Sequence, residues 1–216
     1  MAKRKSKAII TTADTDGTRT TSYLPWSTAQ NLVKLLQADG YHNTALMCAA
    51  GFYLGLRIGD ILQLRWEHLQ AERFYITEQK TANTRKKNKP RAVNLHPDFQ
   101  AVVKKALAAI PAHRRPTPKD YVFISQEPRG ERYQPITVQA AIKRFKKALE
   151  RYGIETANAS THTLRKTFGR RVWENDGSTE AALFKLQEVF GHSSIQITKR
   201  YLGITQDEIA EVYLNL

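Results

Sequence analysis

The sequence predicts a mainly α-helical fold with one small antiparallel β-sheet near its middle, an α+β class. Three observations predict it. Apolar residues recur at helical spacing along most of the chain, and capping residues bracket several of those stretches. Two short runs, Phe74-Tyr75-Ile76-Thr77 and Ala92-Val93-Asn94-Leu95, have the composition of strands and flank a polar stretch. A chain of 216 residues, 41% of them hydrophobic, suits one large domain with a sizeable core.

The elements follow in order. Met1 to Ser22 is rich in Lys, Thr and Asp, has little to bury, and reads as a flexible arm ahead of a domain spanning residues 23–216. Ser27 with Gln30 forms a capping box, Leu32, Val33, Leu35 and Leu36 supply an apolar face, and Gly40 ends the first helix. A second helix runs from Asn43 to Tyr53, and a short third begins over Asp60 to Leu64. The two strands enclose Lys80 to Arg91, a hairpin whose basic tip carries Lys80, Arg85, Lys86, Lys87, Lys89 and Arg91. Tyr121 to Ile124 reads as a third strand. Pro97 to Ala109 is helical, with the proline suited to the first turn. Thr137 to Tyr152 is helical too, with Lys143, Arg144, Lys146 and Lys147 on its exposed side. Further helices are expected over His162 to Glu174, Ala181 to Val189, Ser194 to Tyr201 and Gln206 to Leu214.

Charge then speaks to partners. Lys and Arg number 34 against 20 Asp and Glu, a formal net charge of +14. So large an excess calls for a polyanion, and nucleic acid leads because binding gains from counterion release. The basic residues are dispersed, without a basic amphipathic helix bearing bulky apolar anchors, which disfavours a membrane surface. Arg85, Lys86, Lys87, Lys89, Arg91, Lys143 and Arg144 are the candidate contacts to double-stranded DNA. Cys48 stands alone, which excludes an intrachain disulfide and a multi-thiolate zinc site, and its apolar setting reads as burial in a reducing compartment. No apolar run follows the basic start, and Ala45 to Leu56 is too short to span a bilayer. A cytoplasmic, nucleoid-associated protein is expected.

Six polar residues carry the chemistry: Arg57, Lys80, His162, Arg165, His192 and Tyr201. Arg57 leaves a buried helix in a turn between Gly55 and Gly59, and its fork matches two phosphate oxygens. Asp60 is placed to direct that fork, or simply to pair with it. Lys80, just beyond a strand, could protonate a leaving alkoxide, although position alone does not select it over Lys86 or Lys87. His162 and Arg165 share one helix face beside a helix N-terminus that favours phosphate. His162 could take a nucleophile's proton. Gly191 lets the backbone turn so that His192 points inward, and Ser193 or Ser194 caps the next helix. Tyr201 sits in an apolar stripe and needs neighbouring cations to attack near neutral pH. Each residue alone has an ordinary structural explanation; together they suit attack of a tyrosine hydroxyl on a phosphodiester. They include no carboxylate cluster of the kind that holds Mg²⁺.

Leu56-Arg57-Ile58-Gly59-Asp60, the Lys80 hairpin, His162-Thr163-Leu164-Arg165, and Gly191-His192 followed by Arg200-Tyr201 resemble the tyrosine recombinase (phage integrase) family. The resemblance covers the family's catalytic domain, from about Ser27 onward. It implies that Arg57 and Arg165 are the two catalytic arginines and Lys80 the hairpin lysine. By the same likeness His162 is the first histidine, His192 fills the His/Trp position and Tyr201 is the nucleophile. Phe190 stands where the family usually has leucine. No counterpart to the family's N-terminal core-binding domain is expected, so the chain looks like catalytic-domain-only members such as the fimbrial-switch invertases, or like an excised fragment.

The implied activity is site-specific strand exchange through a 3′-phosphotyrosyl bond, with neither metal nor ATP as cofactor. Family members act as tetramers on two DNA sites. Gln206 to Leu216 is the segment expected to pack on a neighbour, or else back on its own core. Accessory DNA-bending proteins would complete such an assembly. Two alternatives stay open: topoisomerase IB-like relaxation, and a non-catalytic DNA-binding regulator of the same fold.

Overall fold

The computed structural model describes residues 21–77, 90–125 and 134–204. The described helices are α1 (Trp26–Ala38), α2 (His42–Leu54), α3 (Ile58–Leu62), α4 (Trp66–Gln70), α5 (Pro97–Ala108), α6 (Val138–Arg151), α7 (Thr161–Asn175), α8 (Glu180–Phe190) and α9 (Ile195–Leu202), with a 3₁₀ turn at Ala112–Arg114. Between α4 and α5 lie β1 (Arg73–Ile76) and β2 (Arg91–Asn94), an antiparallel pair with Arg73 opposite Asn94 and Ile76 opposite Arg91.

Helix α2 is the hub. It is buried continuously from Ala45 to Phe52, as expected of a helix apolar all round. Helices α1, α5 and α7 pack against it. Gly51 makes the α7 contact close, since a Cβ there would lie 2.4 Å from Cβ of Leu164. A second, smaller core of Trp173, Ala182, Leu183, Leu186, Phe190 and Leu202 joins the far half of α7 to α8 and α9. Helix α7 therefore belongs to both cores, with Leu164 in the first and Trp173 in the second. Cys48 is fully buried, and burial pushes its thiol pKa up to about 12.

Several boundaries differ from the sequence expectation for local reasons. Helix α1 begins at Trp26 behind Pro25, and no side chain caps it, so the Ser27–Gln30 box is not used. Proline fixes φ at the entry, and Trp26 meets Tyr53 edge-on at 5.1 Å. Helix α3 starts earlier than Asp60, because extended Arg57 is its N-cap residue. Helix α4 was not foreseen; five residues leave no periodic pattern. Tyr121 to Ile124 forms only two isolated bridges, Arg65 with Tyr121 and Ile124 with Pro135, not a third strand. Both strands begin one residue early, which puts Arg91 in the ladder.

The last residues of the expected arm are also anchored. Ser22 N–H donates to the Ala157 carbonyl at 3.0 Å, and Thr21 Oγ1 lies 3.2 Å from Ser160 Oγ. Leu24 N–H then donates to Thr167 Oγ1 at 2.9 Å, so this segment straps across α7. No described helix is long and apolar enough to cross a membrane. The expected helix at Gln206 to Leu214 lies outside the described residues, as does the arm through residue 20.

Candidate active site

Three chain reversals build the site. At the first, Gly55 adopts φ +59° and ends α2, Leu56 turns into the core, and Arg57 emerges at the start of α3. At the second, Ser160 caps α7: its Oγ accepts from His162 N–H at 3.1 Å, while Thr163 Oγ1 accepts from Ser160 N–H at 3.3 Å. That cap fixes the turn from which His162 and Arg165 project. At the third, Gly191 adopts φ +63° and ends α8, and His192 N–H donates back to the Gln187 carbonyl at 3.0 Å. Ser194 then caps α9, the helix of Tyr201.

These reversals meet at one atom. Nη2 of Arg57 donates to the Phe190 carbonyl oxygen at 3.2 Å, and Nη2 of Arg165 donates to the same oxygen at 3.1 Å. The last carbonyls of a helix lack intrahelical partners and mark its negative end, so the close of α8 accepts both guanidiniums. Arg165 also lies over the Phe190 ring, 4.6 Å from its centroid. Its pKa falls to about 10, chiefly through burial, with Arg57 and Arg91 lowering it and Tyr201 and Asp60 opposing.

Asp60 is buried on α3, and its charge supports Arg91 and Arg165. An open cleft lined by Arg57, Asp60, Thr161, His162 and Arg165 runs between α3 and the start of α7.

The aromatic groups close the other side. The Tyr201 ring centroid is 5.3 Å from those of His192 and Phe190 and 6.3 Å from that of His162. The Tyr201 hydroxyl is buried with no hydrogen-bond partner among the described residues. Burial pushes the phenol pKa up to about 12, and Arg165 and Arg57 oppose that rise. His192 goes the other way, down to about 4, through burial first and then Arg165 and Arg57. Its imidazole is thus neutral, with Nδ1 lying 3.0 Å from Thr198 Oγ1. His162 is exposed at the rim, above Tyr201.

Five of the six chemical candidates therefore converge. Lys80 and the tip residues Arg85, Lys86, Lys87 and Lys89 lie outside the described residues. Arg91 is half-buried in β2 and acts electrostatically on Arg165, so it belongs beside the cluster rather than at a hairpin tip. Lys143 is exposed on α6, while Arg144 donates to Asn43 Oδ1 at 3.1 Å and so also ties α6 to α2.

Three contributors were missed in the sequence. The Phe190 carbonyl is backbone and leaves no side-chain signal. Thr198 lies three residues before Tyr201, and Lys166 four after His162, spacings that share a helix face. Lys166 is buried, with Nζ 5.6 Å from the Tyr201 ring centroid. Either could have been found by asking which neighbours those two residues keep on their helices.

Residues 25–208 match the phage integrase family. A probable integrase/recombinase, YoeC of Bacillus subtilis (strain 168), is 30% identical over 76% of this chain and 78% of its own length. Tyrosine recombinase XerC of Bradyrhizobium diazoefficiens is 31% identical over 60% of this chain, which spans only 37% of that protein. Among solved structures, XerA recombinase superposes with a TM-score of 0.67 at 20% identity, covering 91% of this chain and 64% of the other. XerH, solved on its palindromic difH substrate after cleavage, gives 0.66 at 19% identity, covering 94% of this chain and 55% of the other.

Proposed function

Because the chain belongs to the phage integrase family, we propose that it is a site-specific recombinase that cuts and rejoins DNA through Tyr201. The observation that carries this reading is the convergence of two guanidiniums on the carbonyl of Phe190, the residue whose ring lies beside those of Tyr201 and His192. The guanidinium forks of Arg57 and Arg165, which line the cleft, match the non-bridging oxygens of a scissile phosphate. His192 contributes another donor. The guanidiniums then stabilise the charge that builds up at phosphorus, and they favour the phenolate that burial disfavours.

Oη of Tyr201 attacks phosphorus, and the Tyr201 Oη–P bond forms as the P–O5′ bond breaks. The phenolic proton passes to His162 at the rim. Lys80 gives a proton to the departing 5′-oxygen. A 5′-hydroxyl from a partner strand reverses these steps and releases the tyrosine. One phosphodiester is exchanged for another, so the reaction needs no external energy source. The +14 charge supports double-stranded DNA as the partner, and the nucleoid as the place of action. Four copies on two sites, linked through residues 206–216, with DNA-bending proteins where the site requires them, complete the proposal.

Covalent trapping tests it. Nicked suicide duplexes tiled across the DNA flanking the gene are incubated with wild type and with Tyr201→Phe in EDTA, then run on a denaturing gel. A protein–DNA band from wild type alone is the expected result. Binding without a band would favour a DNA-binding regulator, and a band from both proteins would remove Tyr201 as the nucleophile.

A further inference from the structure

Helix α9 carries a second polar side chain on the face that bears Tyr201. Thr198 is completely buried, and its Oγ1 lies 3.0 Å from His192 Nδ1 and 3.4 Å from the Ser194 carbonyl oxygen. A threonine bonded to the carbonyl four residues back is common in helices and needs no functional account. The contact with His192 is different: it is shorter, and it joins α9 to the residue just past the end of α8.

The hydroxyl has one proton to give, and Ser194 O can only accept. If that proton goes to Ser194 O, Nδ1 must carry the imidazole proton. Nε2 then presents a lone pair. If it goes to the nearer Nδ1, the single proton of the neutral ring sits on Nε2, which becomes a donor. The heavy-atom distances fit either arrangement, since Nδ1 and Oγ1 lie 3.0 Å apart in both; the chemistry of the cleft selects the second. A phosphate held by Arg57 and Arg165 presents only oxygen lone pairs, which an Nε2 lone pair would repel and an Nε2–H would bind.

We propose that Thr198 is a positioning residue that donates to His192 Nδ1 and so fixes the Nε2–H tautomer that serves the scissile phosphate. This rests on the strand-cleavage reading of the same site. The arrangement supplies a third donor without a third full charge beside two guanidiniums. Burial and those same guanidiniums keep the ring neutral, so a tautomer, rather than a charge state, is what has to be selected. Such support for a functional imidazole is worth about tenfold or more in rate.

The test has two arms. Long-range ¹H–¹⁵N spectra of ¹⁵N-histidine-labelled protein, assigned by the signal lost in His192→Gln, report which ring nitrogen holds the proton. Single-turnover trapping on nicked duplex compares wild type, Thr198→Val and Thr198→Ser, with duplex affinity and thermal midpoint measured alongside. Wild type should show a protonated Nε2. Thr198→Val should lose that preference and cleave about tenfold or more slowly at unchanged affinity, while Thr198→Ser restores both. A protonated Nδ1 in wild type, or a Thr198→Val that cleaves at the wild-type rate, overturns the proposal. If wild type traps no duplex at all, the recombinase reading is what fails. The spectra then still decide whether Thr198 sets the tautomer.

Discussion

Two guanidiniums that share one carbonyl oxygen repel each other, and burial makes that repulsion harder to screen. Here the close of a helix answers it. The Phe190 carbonyl accepts from both, and Asp60 lends Arg165 a negative charge. The same crowding of positive charge acts on His192 and makes its titration measurable. The imidazole pKa drops from 6.5 to about 4 because burial and two nearby arginines disfavour the cation. A folded-state pKa below the unfolded one means that the unfolded chain binds the proton more readily. The stability involved is fully present above 6.5 and is lost as pH falls through the window down to about 4. His192→Gln has no such proton to bind. The urea midpoint of wild type minus that of His192→Gln, measured across that window, should decrease as the pH falls. A parallel descent of the two would mean that His192 keeps an ordinary pKa.

At the level of elements, α7 is the part on which the site depends, because it spans both cores and carries His162 and Arg165. Gly169 is where it meets α8 and α9. A Cβ there would lie 2.4 Å from Leu202 Cδ2 and 2.9 Å from Phe190 Cζ. Overpacking of this kind costs about 1–3 kcal/mol. Gly169→Ala should lower the unfolding free energy by that amount in a urea titration. It should also slow trapping, since the displaced Phe190 carries the carbonyl that holds both arginines. A variant with wild-type stability and trapping would show that α8 and α9 shift freely. Most elements were legible in the sequence because long helices repeat their apolar positions. Helix α4 was not, being too short for a period, and the start of α1 was set by Pro25 and Trp26 packing rather than by Ser27. The site was legible as a set of residue types in order. Its organising atom was not, because a backbone carbonyl looks the same at every position. Thr198 and Lys166 were missed because each reads, alone, as an ordinary helix residue.

For the whole molecule, the excess of positive charge should govern how the chain meets DNA. Phosphate contacts are paid back by released counterions, so affinity should fall linearly on a log–log plot against salt, with a slope set by the number of contacts. The described basic residues do not contribute alike. Arg144 is half-buried and bonded to Asn43, so its loss should disturb the α2–α6 contact as well as any phosphate it meets. Lys143 is exposed on the same helix and is the cleaner probe. Lys143→Gln should weaken binding to specific and random duplexes alike and reduce the salt slope by about one. Trapping at saturating DNA should be unchanged, because the site lies on α3, α7 and α9. Fluorescence anisotropy over a salt series reads the slope directly. An unchanged slope would place the α6 face away from the duplex and leave the hairpin and the active-site cleft to account for the affinity.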